Sequence, residues 1–207
     1  MLKAYHIEML HLALDGVFTP GALGTIIAAN VYQDRPRGQI GHDEYHFDNN
    51  AFDKSYAYME EQRALTISSL MADRASAAWS AFGRLTHTAH DFYAHSNYID
   101  LWRESHQGGR LPAPVEVDPV DLQLINSPAL RSGKVYLREL LTLIPLLGPF
   151  LKPFLPRDAH GWMNLDSPER GPNFKYAFQA AVKRTTIEFE KTTRDMPAEL
   201  FRLFLDQ

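Results

Sequence analysis

The chain contains no cysteine. Zinc–thiolate sites, iron–sulfur ligation and disulfide staples are therefore excluded, and any metal must be held by histidine and carboxylate. Long apolar runs are missing as well. The most apolar segment, 135–155, has a charge-free core of 12 residues, 140–151, interrupted by Pro145 and Pro149. A bilayer span needs about 20 such residues, so the segment reads as a kinked core helix or an apolar flap beside a substrate site. There is no surplus of basic charge: 21 basic residues face 25 acidic ones, for a formal net charge of -4. Nucleic acid is accordingly expected as a substrate at most, with no stable nucleic-acid partner. No basic cluster stands out in the sequence, which leaves bound metal as the main charge for phosphate. The opening stretch MLKAYHIEMLHLAL carries Glu8 and two histidines where a signal peptide needs an unbroken apolar region. A cytoplasmic protein is expected, with unconventional export as the alternative.

What is present is a chain of 207 residues, 45% hydrophobic. That is enough to bury one full core, and a single domain over 1–207 is the simplest organisation. Apolar residues at helical spacing predict a helix over 5–15, and Pro20 suits the first position of a second helix over 20–32. Residues 35–50 read as a polar loop containing HDEYHFDNN. From 51 to 101 helical character is nearly continuous, as one helix or as two or three in succession, with Gly83 its only breaker. A turn-rich linker is expected over 105–119, a short helix within 119–131, an irregular stretch over 156–172, and closing helices over 173–194 and 197–204. No internal repeat or β-hairpin signal is found, so the class is all-α, with orthogonal or bundle-like packing.

The most informative stretch is GRLTHTAHDFYAHSNYIDLW, beginning at Gly83. His87, Asp91 and His95 are four apart, which puts them on one helical face. At about 1.5 Å per residue His87 and His95 stand roughly 12 Å apart along the axis, while zinc–ligand bonds are only about 2 Å long. One ion cannot serve both, but two or three ions strung along the helix could share Asp91 as a bridge. A buried row of unpaired ionisable groups would be costly, and metal ions offset that cost. His90 points off this face and is expected to support a ligand or to pack. Asp34 and His46 are the natural complements to His87 and Asp91, with His42, Asp43 and Asp48 competing for the same role. His160 could join His95, His6 could complete a further site with Asp91, and His106 is expected in solvent.

The block GRLTHTAHDFYAHSN, with NVYQD and HFDNN before it and HGWMNLDSP after it, resembles the zinc-dependent phospholipase C and single-strand nuclease superfamily, and most of all its Het-C-like branch. The resemblance implies an all-α, single-domain phospholipase C/nuclease-like fold around a multinuclear metal site of two or three zinc ions. It implies Asp34, His46, His87 and Asp91 as ligands of one ion, Asp91 bridging to a second near His6, and His95 and His160 at a third. Asn164 stands where the family has a glutamate, leaving Asp166 as the carboxylate there. The secreted phospholipases also ligate metal through the amine of a mature N-terminal tryptophan, whereas Met1 here precedes His6 by five residues.

The expected activity is hydrolysis of phosphodiesters, phospholipase C-like on a phospholipid or amphiphilic substrate with transient membrane-surface contact, by metal-activated water. Asp34 is the candidate base, and Asn97 and Asn164 are candidates for orienting ligands. Single-strand nuclease-type activity is the alternative, with Tyr93, Tyr98 or Trp162 as stacking platforms. A non-phosphoester metalloenzyme and a Het-C-like interaction protein are the other readings of the same cluster.

Overall fold

A computed structural model describes residues 1–39, 41–136 and 154–207. Among these the chain is all-helical, and two isolated bridges, Ser96 with Ser132 and Lys134 with Ala159, are its only β-type pairings. The helices are α1 (Lys3–Leu14), α2 (Pro20–Tyr32), α3 (Pro36–Gln39), α4 (Asp43–His46), α5 (Phe52–Met71), α6 (Ala75–His95), α7 (Tyr98–Ser105), α8 (Leu122–Ile125), α9 (His160–Met163), α10 (Asn173–Thr193) and α11 (Ala198–Leu205). None of them is long and apolar enough to cross a membrane. The apolar segment 140–151 lies outside the described residues.

Local chemistry explains the boundaries. Thr19 caps α2 by accepting from Ala22 N at 3.3 Å, with Pro20 at the first helical position. Helical character over 51–101 resolves into three helices. Asp73 adopts φ +55° between α5 and α6, and extended Ser96 ends α6. The expected polar loop over 35–50 is instead largely ordered into α3, α4 and a 3-10 turn at Asp48–Asn50. Phe47, Asn49 and Asn50 all have positive φ, so the chain reverses tightly there, and asparagine tolerates that conformation well.

Helix α6 is the centre of the molecule. It packs against α5, α2 and α10, and every residue from Leu85 to His95 is buried. A helix enclosed on all sides cannot be amphipathic toward solvent, so its polar residues must find partners inside. Gly83 does not break it. A Cβ at Gly83 would lie 2.3 Å from Ile26 O, so glycine is what lets α2 and α6 meet backbone to backbone. One end of the core is an aromatic cluster, with Phe18, Phe82 and Phe189 around Phe204 at centroid distances of 5.0 to 6.2 Å. On α10 the buried Glu188 accepts from Arg184 Nε at 2.5 Å and also from Arg63, which neutralises charge that burial alone would make costly.

Candidate metal centre

The i, i+4 spacing on α6 delivers His87, Asp91 and His95 to one face, and five other segments close over it. Helix α1 brings His6, the turn after α2 brings Asp34, α4 brings His46, and the 3-10 turn brings Asp48. The segment 160–166 brings His160 and Asp166. His6, His87 and Asp91 are fully buried, and His46 and His95 nearly so.

The ligating atoms fall into two groups. In the first, His6, Asp34, His87 and Asp91 each offer one atom, all within 4.8 Å of one another. Asp91 is divided between neighbours: Oδ1 is 3.3 Å from His6 Nε2, and Oδ2 is 3.1 Å from His87 Nε2 and 2.8 Å from His46 Nδ1. Asp34 stands at the rim, 21% exposed, with Oδ1 3.7 Å from His87 Nε2 and Oδ2 4.0 Å from His6 Nε2. The Met1 amine approaches Asp91 Oδ1 at 2.6 Å and Asp166 Oδ1 at 3.3 Å. The second group is Asp48, His95 and His160. Asp48 Oδ1 is 3.4 Å from His95 Nδ1 and 2.9 Å from His160 Nδ1, and His95 Nε2 is 3.4 Å from Asp166 Oδ1. His87 and His95 thus belong to different groups with Asp91 between them, as their separation along α6 requires.

These residues fit a divalent cation. Donors at about 2.1 Å from a tetrahedral ion are about 3.4 Å apart, and the spacings around Asp91 and Asp34 bracket that value. Moreover His6 Nε2, Asp34 Oδ2 and Asp166 Oδ1 are buried without a hydrogen-bond partner among the described residues. Buried polar atoms are almost always satisfied, and His6 Nε2 and Asp34 Oδ2, unmatched and 4.0 Å apart, are spaced as two ligands of one cation would be.

Electrostatics divides the histidines. Burial pushes His87 down to about 4, against the pull of Asp91, so the ring is neutral and its lone pair is available. His95 goes the other way: burial opposes its charge, but Asp91 and Asp48 hold it well above the ordinary histidine value. Burial alone would raise the Asp48 carboxyl, yet His95 and His160 keep it well below the usual range. Asp91 is likewise held low, against burial, by the Met1 amine, His95 and His87.

His90 supports a ligand from behind. Its Nδ1 is 2.9 Å from His6 Nδ1, and its Nε2 is 2.7 Å from Thr185 Oγ1, which donates to Ala181 O. With the Thr185 hydroxyl proton used on Ala181, His90 Nε2 must donate to Thr185. His90 Nδ1 then accepts from His6 Nδ1–H, and His6 presents a bare Nε2 toward Asp34 and Asp91. Burial, then His6, keeps His90 itself well below the ordinary value. Metal-binding histidines are commonly fixed by such a bond on the other ring nitrogen.

Each predicted ligand reaches the centre: His6, Asp34, His46, His87 and Asp91 at one end, His95, His160 and Asp166 at the other. Asp48, which spacing could only rank as a competitor of His46, joins His95 and His160 instead. Asp48 lies within the tight reversal made by left-handed Phe47, Asn49 and Asn50. Gly133 allows this closure, because a Cβ there would lie 2.7 Å from His160 Cα. The Asn97 side chain braces backbone, and that of Asn164 holds an arginine. Asn97 donates to Ala129 O at 3.0 Å and accepts from Arg131 N at 2.8 Å, while the Asn164 side chain accepts from Arg170. His42 stacks on Tyr45 at 4.3 Å, and His106 packs on Trp102 at the same distance.

Fold and site together define an all-α protein whose central helix carries a two-group histidine–carboxylate centre. The model of the VWA7 N-terminal domain family matches residues 15–119, just over half the chain, and the chain belongs to that family. The matched region holds Asp34, His46, Asp48, His87, Asp91 and His95, while His6, His160 and Asp166 lie outside it. No curated protein matches the chain. No solved structure matches it.

Proposed function

We propose that this protein is a metal-dependent hydrolase of phosphoric esters, with zinc held by the two donor groups along α6. The carrying observation is the set of buried donor atoms at near-tetrahedral spacing, with His6 Nε2 and Asp34 Oδ2 left unmatched. The reaction class comes from the resemblance of the α6 block to the zinc-dependent phospholipase C and nuclease superfamily, Het-C-like branch. Divalent ions bound there would polarise the phosphoryl oxygens and acidify a water. Asp91 sets one oxygen against His6 and the other against His87 and His46, and so fixes the spacing within the first group. His6 is held in its ligating tautomer by His90, and His87 is kept neutral by burial. Asp34, with one face open to solvent, is the carboxylate able to take the proton of the attacking water. The lipid-like part of the reading rests on residues 140–151, so the substrate is taken here as a phosphodiester without a stated acyl chain.

Elemental analysis of the purified protein, followed by assays on bis(p-nitrophenyl) phosphate, a phosphatidylcholine and single-stranded DNA, tests this. Metal at stoichiometric level and turnover of at least one ester are expected, with both lost in Asp91→Ala. Retention of metal and activity by that variant, or metal-free protein of unchanged stability, refutes the reading.

A further inference from the structure

The sequence shows no basic cluster, yet the fold makes one. Arg103 on α7, Arg131 before the Ser132 bridge, Arg157 ahead of α9 and Arg170 in the 3-10 turn at Pro168–Arg170 all line one cleft of about 390 Å³. Asp100 is the carboxylate among its described lining residues. Asp100 itself accepts from Asn173 Nδ2, and this one carboxylate stands against four guanidiniums. Two of the guanidiniums are framework. Arg103 donates to Asn173 and lies 5.4 Å over the Tyr176 ring, and Arg170 donates to Asn164 and to Gly161 O. Arg131 and Arg157 are exposed, and Arg157 lies 5.1 Å over the face of Trp162.

This cleft is built from chain segments that also carry residues of the metal centre. Its lining residue Asn97 is two positions after His95, Trp162 is two after His160, and Leu165 directly precedes Asp166. The two walls are joined where Leu165 N donates to Ala94 O at 2.7 Å. A ligand in the cleft therefore rests against the same short segments that carry His95, His160 and Asp166.

We propose that the cleft formed by Arg103, Arg131, Arg157 and Arg170 is an anion subsite that takes a second phosphate of the substrate, next to the ester cleaved at the metal centre. Several converging guanidiniums match the charge of a phosphate monoester and can bind it bidentately, which a row of lysines could not. The preferred substrate is then a phosphodiester bearing a further phosphate group, whether on a nucleotide or on a phosphorylated lipid head group. The inference deepens the hydrolase reading and rests on it for the scissile ester, but the anion site stands on the cleft itself.

The test uses the full chain and Arg131→Gln/Arg157→Gln, two exposed positions whose replacement leaves the framework arginines in place. By calorimetry, inorganic pyrophosphate should bind the double variant about tenfold or more weakly than the parent, with a shallower salt dependence. Two substrate pairs supply the second readout: thymidine 5′-(p-nitrophenyl phosphate) with and without a 3′-phosphate, and short-chain phosphatidylinositol with and without a 4-phosphate. In whichever pair is turned over, the phosphorylated member should have the lower KM, and the KM ratio should fall to about one in the variant. The pair that is hydrolysed identifies nucleotide or lipid as the source of the phosphate. Equal pyrophosphate binding by parent and variant, no binding by the parent, or an unchanged KM ratio overturns the proposal. If no ester is hydrolysed the hydrolase reading fails, while the pyrophosphate comparison still decides the subsite.

Discussion

Replacing Gly83 by alanine should disturb the metal centre without touching a ligand. The added methyl would stand 2.3 Å from Ile26 O and 3.0 Å from Ala29 Cβ, roughly 1 Å inside ordinary contact with the carbonyl. That oxygen is backbone in the middle of α2, so it cannot swing aside as a flexible side chain would. The helices must separate, or α6 must shift along α2. Alanine itself favours the helix by up to about 1 kcal/mol. Overpacking a tight core costs about 1–3 kcal/mol, which should win, because the clash is with main chain on a fully buried helix. The net loss, up to about 2 kcal/mol, corresponds to a fall of up to about 8 °C in the unfolding midpoint of a chain this size. The same shift acts on the site. Asp34 lies two residues past the end of α2, helix α6 carries His87, and their ligating atoms are 3.7 Å apart. Moving them apart should weaken zinc binding by about tenfold, the scale seen when ligand orientation is lost. Thermal unfolding by circular dichroism in excess chelator reads the first effect, and competition with a chromophoric chelator reads the second. A variant as stable as the parent, with the same zinc affinity, would refute both the close-approach reading and the idea that the α2–α6 contact sets the site.

Two further outcomes follow from residues around the centre. His90→Leu keeps bulk but leaves His6 Nδ1 and Thr185 Oγ1 without their partner, so zinc affinity should drop about 10–100-fold with every ligand intact. An unchanged affinity in the chelator competition would show that His90 merely packs. The second outcome concerns acid. His87 is pushed from the ordinary 6.5 down to about 4 by burial, so the unfolded chain binds the extra proton between those values and the fold does not. Its contribution is fully present above about pH 6.5 and is lost as pH falls toward 4. The metal-free protein should therefore lose thermal stability across that window, and His87→Gln should flatten the slope; identical slopes would contradict the assignment.

Much of the centre could be read from residue order alone. Four-residue spacing on a helix dictates that His87, Asp91 and His95 share a face, and a rise of about 1.5 Å per residue dictates that the two histidines serve different groups. The limits of α2 and α10 follow from caps, breakers and periodicity, and the lack of cysteine left only nitrogen and oxygen donors. Such inferences depend on neighbours a few residues apart, whose geometry the backbone sets.

Only the tertiary structure decided the rest. Sequence ranked Asp48 only as a rival of His46 beside His87 and Asp91; its place with His95 and His160 came with the tight turn at Phe47, Asn49 and Asn50 and with the room Gly133 leaves for His160. The role of His90 needed α1 and α10 to bring His6 and Thr185 to its two nitrogens. The arginine cleft is the sharpest case. Its four guanidiniums are scattered from Arg103 to Arg170 in a chain of net charge -4, so composition averaged them away. Local periodicity specifies which face a side chain occupies, but charges distant in sequence add up only where chain closure brings them together.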